Sequence, residues 1–140
     1  MHNSNESRLE NDCKELSNAF QDILSWKWDR RFETVLAEFS AVNRDSVRTI
    51  LNRHLRITWD SLNIGNAPDI VQSISIHFGT LRAGQLLFTS DPDGDAFIFC
   101  FWWPWSNGKN ISIRIAPYYR KLLNSDKAEK IQQFKSWFGI

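Results

Sequence analysis

The sequence predicts an α+β protein, with N-terminal amphipathic helices, a central antiparallel β-meander and a C-terminal helix packed on the sheet. Three observations predict it. Apolar residues recur at steps of three and four through the first third of the chain, three later runs of β-forming residues are separated by turn chemistry, and helical spacing returns at the end. A chain of 140 residues fits one domain spanning 1–140, with disorder expected only for residues 1–6.

Ser7-Arg8-Leu9-Glu10 has the capping-box spacing, in which the hydroxyl accepts from the third amide and the Glu side chain reaches back. Behind it Leu9, Cys13, Leu16, Phe20 and Ile23 make one apolar stripe and predict the first helix. Asp29 stands where it would cap a second helix carrying Phe32, Val35, Leu36 and Phe39 on one face. A third is expected from Asn43 or Asp45, with Val47, Ile50, Leu51 and Leu55 inward and Arg44, Arg48, Arg53 and Arg56 outward. Residues 67–79 support two readings equally. Ile74, Ile76 and Phe78 alternate with polar neighbours as in a strand, whereas Pro68 and Asp69 suit a helix start and Gly79 suits its C′ position.

The runs 85–90 (QLLFTS), 96–103 (AFIFCFWW) and 110–116 (NISIRIA) read as consecutive strands joined by DPDGD and PWSNGK turns. The second should end or bulge at Pro104, which has no amide proton to give a ladder. Ser125 or Asp126 is placed to cap a last helix that buries Ile131, Phe134, Trp137 and Phe138.

Residues 97–105, FIFCFWWPW, carry six aromatic rings and no charge. In a strand Phe97, Phe99, Phe101 and Trp103 point one way while Ala96, Ile98, Cys100 and Trp102 point the other. Both faces are apolar, so this strand is expected at the centre of the sheet with cover on both sides. Trp105 lies beyond Pro104, where the strand is turning, and the sequence supports equally that it is at least half exposed in the monomer or mostly packed.

The 17 basic and 16 acidic residues leave a net charge of +1, too mild a balance to demand nucleic acid. The N-terminal stretch is too polar for a signal peptide and no apolar run approaches a membrane span, so a cytoplasmic location without membrane attachment is expected. Cys13 and Cys100 occupy apolar positions and read as reduced core thiols. His2, His54 and His77 form no metal-ligating spacing, and DPDGDA departs from a calcium loop by placing Ala96 and Trp102 where Gly and a bidentate Glu are needed. No nucleophile motif or phosphate-binding glycine loop occurs, so neither cofactor nor metal is expected and no catalytic residue is assigned.

The aromatic surplus without catalytic motifs points to a non-catalytic protein-interaction module that self-associates, a homo-dimer being the favoured partner arrangement. The expected ligand- or partner-binding residues are Trp102, Trp105, Arg114, Tyr118 and Tyr119. The alternative is a small-ligand-binding protein or enzyme with an aromatic-lined pocket. A second alternative, single-stranded nucleic acid, would use Arg82, Lys109, Arg114, Arg120 and Lys121 beside the two tyrosines.

Overall fold

The strand that is apolar on both faces lies inside a six-stranded antiparallel sheet. A computed structural model describes residues 4–140, with side chains from Ser7 onward. In chain order the elements are α1 (Ser4–Ala19), β1 (Lys27–Asp29), β2 (Thr34–Ser40), α2 (Arg44–Leu55), β3 (Ile57–Trp59), α3 (Asp69–His77), β4 (Leu86–Thr89), β5 (Ala96–Pro104), β6 (Asn110–Tyr119) and α4 (Lys127–Trp137). The spatial order is β1-β2-β6-β5-β4-β3. β4, β5 and β6 are the expected meander, paired Phe88 to Cys100 and Phe101 to Arg114. β5 ends at Pro104 as the missing amide requires.

Strand alternation divides the protein into two cores. On one face Ile98, Cys100 and Trp102 of β5, with Val35, Ala37, Phe39, Phe88, Ile111, Ile113 and Ile115, pack against Leu9, Cys13 and Leu16 of α1, Phe20 just past it, Val47, Leu51 and Leu55 of α2 and Phe134 of α4. On the other, Leu87, Phe97, Phe99, Phe101 and Ala116 pack against Val71 and Ile74 of α3 and the flanking Ala67 and Leu81. Burying a side chain of this size contributes about 1.5–3 kcal/mol. Among the described residues no helix is long and apolar enough to cross a membrane.

Four expectations are corrected. Residues 34–40 form β2, not a helix: Val35, Ala37 and Phe39 are buried on one face and Glu38 and Ser40 are exposed on the other, while the buried Leu36 interrupts that alternation and lets the apolar residues match helical spacing by coincidence. α1 begins at Ser4, which puts Ser7 one turn inside it rather than at its cap, and makes the backbone of residues 4–6 helical. Residues 1–3, including His2, lie outside the described residues. α1 also stops at Ala19, leaving Ile23 beyond it and exposed.

Residues 69–77 are helical, and Gly79 takes the left-handed C′ conformation (φ 106°) while the Thr80 amide donates to the Ser75 carbonyl at 2.8 Å. The sites expected to cap α2 and α4 are occupied by Asn43 and Asp126, neither of which makes a side-chain cap hydrogen bond.

The middle and the end of FIFCFWWPW differ in burial: Phe101 is 1% exposed and Trp105 is 41% exposed. Phe101→Ala is therefore expected to cost about 3–5 kcal/mol, the range for emptying a buried aromatic site. Trp105→Ala should cost the monomer under about 1.5 kcal/mol, and paired urea melts at low protein concentration measure both.

Candidate ligand groove

The two faces of the sheet are unequally covered. Six strands about 4.8 Å apart make a sheet roughly 25–30 Å wide. Three helices lie on one face. The other has only the nine residues of α3, a cylinder about 13 Å long and 10 Å across. What α3 leaves open is covered by aromatic side chains or stays as a groove.

The aromatic cover is organised from Asp29, at the end of β1. Its Oδ1 accepts the amides of Arg31 (2.9 Å) and Phe32 (3.3 Å), which folds residues 30–33 into the β1–β2 turn. Its Oδ2 accepts the Arg114 Nε–H at 2.7 Å, both side chains being mostly buried. Arg114 in turn lies 4.6 Å from the Trp103 ring and 5.6 Å from that of Phe32, and its Nη1 donates to Ser112 Oγ at 3.2 Å. Phe78, just past α3, stacks on Phe32 (4.8 Å) and on Phe101 (4.4 Å) and meets Phe99 edge-on. The β1–β2 turn is thus tied to the helical cover through Phe32. Burial alone would push the Asp29 carboxyl up, but the Arg114 hydrogen bond, the Phe32 amide, the Arg114 charge and the Arg31 amide outweigh it and hold it below the ordinary value.

Beside this cluster, at the corner where β6 runs out, is a groove of about 420 Å³. Phe99, Ala116 and Tyr118 of the sheet, Ile70, Ser73, Ile74 and His77 of α3, and Phe32 and Glu33 of the turn form one side of it; Lys127, Lys130 and Ile131 of α4 close the other. Apolar lining predominates, with Glu33, Lys127 and Lys130 as its charged members. Lys127 Nζ and Glu33 Oε1 are 3.1 Å apart, a pair open to solvent. A cavity of this size, mostly apolar with a few polar groups, is within the usual range for small-molecule sites.

The structure brings two of the five sequence-predicted residues to the groove. Tyr118 is half-buried with its ring 5.3 Å from Phe97, and Tyr119 is half-buried with the Lys130 ammonium 5.6 Å from its ring. Arg114 borders it through Phe32. Trp102, however, is 3% exposed and meets Phe39 and Phe88 in the core beneath the helices, which removes it from any surface. Trp105 sits at the β5–β6 turn, where its amide donates to the Asn110 carbonyl. Tyr118 is eight residues along β6 from that point, about 26 Å at strand rise.

Of the cations proposed to track a nucleic-acid backbone, Arg114 is engaged by Asp29, and Arg120 donates to the carbonyls of Gly94 (2.7 Å) and Pro92, clasping the β4–β5 turn. Phe32, Phe78, His77, Lys127 and Lys130 were not among the expected binding residues. They come from a turn, a helix end and two distant helices, and only the fold makes them neighbours.

The remaining chemistry is subdued. Cys13 and Cys100 are free and buried, and burial pushes both thiols upward, which suppresses the reactive thiolate. No cluster of three or more His, Cys, Asp or Glu able to hold a metal ion occurs among the described residues. A second hollow of about 360 Å³ is lined by Arg8, Asp12, His54, Arg56 and Asp91. There burial, and then Glu15, push the Asp12 carboxyl up. Its two arginines face two carboxylates, which leaves no marked preference of sign.

Because the Asp29 carboxyl is depressed in the fold, its stabilising contribution is complete above the ordinary carboxyl value near 3.8 and is lost as the pH falls through the depressed value. Asp29→Asn should therefore destabilise the protein at pH 7, by on the order of 3 kcal/mol for a mostly buried pair. The deficit should shrink at about pH 2, as urea melts at the two pH values would measure. Comparison with family models, with curated proteins and with solved structures finds no match to this chain, so the lining of the groove is what defines its chemistry.

Proposed function

We propose that the protein is a non-catalytic binding protein that holds a small, largely apolar molecule in the groove between α3, the end of β6 and α4. The observation that carries this reading is the cavity itself: about 420 Å³, formed within one chain and walled by aromatic rings. Among the described residues lining the groove Glu33 is the one carboxylate, and holding an apolar molecule requires no catalytic group.

The neutral fluorophore N-phenyl-1-naphthylamine tests it. One molecule should bind per chain with a blue-shifted, enhanced emission. Ser73→Trp, which sets an indole into the lining from an exposed position of α3, should abolish that binding and leave the urea midpoint nearly unchanged. No saturable binding, or equal binding by the variant, would refute the reading.

Self-association as a dimer is a second reading favoured by a separate observation. Val42 is 90% and Trp105 41% exposed, on neighbouring turns joined by the Ala41 amide and the Lys109 carbonyl at 2.8 Å. Sedimentation velocity across a hundredfold range of concentration is the check. A dimer that Val42→Asp converts to monomer supports this reading, and a monomer throughout excludes it.

A further inference from the structure

We propose that residues 121–133, the loop after β6 and the first two turns of α4, form a lid on the groove, latched by the Lys127–Glu33 ion pair, that opens to admit a ligand and closes on it. The gating role rests on the binding reading above; the mobility of the segment does not. Four of its side chains, Leu122, Lys127, Lys130 and Ile131, line the groove, so a molecule held there is covered in part by this segment.

The segment is fixed at its ends and lightly held between them. At one end the Arg120 amide donates to the Asp95 carbonyl at 2.9 Å, and the Arg120 guanidinium clasps the carbonyls of Gly94 and Pro92. At the other, Phe134 is 1% exposed in the core. Every residue from 121 to 133 is exposed or half-buried. Such a stretch loses little buried area when it lifts, which places it at the low-stability end of the fold. The helix start adds little resistance. Asp126, its N-cap residue, makes no side-chain hydrogen bond to the orphan amides of the first turn.

The latch joins this segment to the opposite wall. Lys127 Nζ and Glu33 Oε1 are 3.1 Å apart, with side chains 53% and 46% exposed, and both residues line the groove. Glu33 offers its carboxylate from a left-handed backbone (φ 57°), which glycine adopts more easily than glutamate. The turn that carries it is pinned by the Asp29 carboxylate through the Arg31 and Phe32 amides, so one jaw is fixed and the other moves. So open a pair is weak: it biases the lid toward closure and does not lock it.

Amide hydrogen exchange tests the lid without a ligand. After correction for intrinsic rates, the amides of residues 131–133 should exchange about tenfold faster than those of 135–137, which lie beside the buried Phe134 and Phe138. Glu33→Gln, or raised salt in the parent chain, should speed the 131–133 amides by about threefold, the scale of an exposed ion pair, and leave 135–137 unchanged. A reversible lock tests the gate. Because Cys13 and Cys100 are buried and resist modification, dithiobismaleimidoethane should bridge only the two introduced thiols of a Glu33→Cys, Lys127→Cys double variant. With the bridge intact, N-phenyl-1-naphthylamine should enter and leave about tenfold more slowly in stopped flow than after reduction, which frees the lid and keeps both halves of the linker attached.

Equal exchange across 131–133 and 135–137 would make α4 one rigid body and overturn the proposal. Exchange indifferent to Glu33→Gln and salt would remove the latch, and probe rates indifferent to the bridge would remove the gate; either result overturns the proposal and leaves the binding reading standing. If the probe does not bind the parent chain, the binding reading fails and takes the gate with it.

Discussion

Everything in this fold answers to the need to cover both faces of β5. Its buried residues alternate into two cores, and neither set tolerates water. The chain meets the demand generously on one side, with α1, α2 and α4, and sparingly on the other, with α3 alone. The shortfall is made up by Phe32, Phe78 and Trp103, side chains brought in from a turn, a helix end and the strand itself. A groove is what such a patchwork leaves at its margin. Its position, at the corner of the sheet, follows from where the short helix ends.

The patchwork is held by electrostatics as much as by area. Arg114 projects from the middle of β6 into an aromatic surface, an expensive place for a charge unless it is matched. Asp29 matches it, and the same carboxylate collects two turn amides. A planar guanidinium can hydrogen-bond in its plane and stack across its faces at once, which an ammonium cannot do. Arg114 uses both capacities, with Asp29 at its edge and Trp103 and Phe32 near its faces, so lysine would be a poor replacement there.

Reading the sequence went furthest where one physical signal dominated. Turn chemistry flanking β-rich runs identified the β4–β5–β6 meander, and two-sided apolarity located β5 inside the sheet. β2 escaped because its alternation is interrupted. Val35, Ala37 and Phe39 face the core and Glu38 and Ser40 face out, but Leu36 is buried on the polar side, and Phe32, Val35, Leu36 and Phe39 happen to fall at helical intervals. Asp29 is instructive too. An Asp whose side chain accepts amides two and three residues on is the signature of a helix cap and of an Asx turn alike, and only the strand that follows tells them apart. Tyr118 and Tyr119 could be singled out because they are aromatics at the end of a strand. Lys127, Lys130 and His77 could not, since single polar residues on helices far apart in the chain become neighbours only through tertiary contacts.

The sheet is bounded by β1 and β3, each of three residues. Strands so short expose few unpaired backbone groups, which blunts the edge-to-edge pairing that open sheets risk. They equally deny an extended peptide the row of amides and carbonyls needed to join as an extra strand. A peptide adding itself beside β1 or β3 would find only three residues of strand there to pair with.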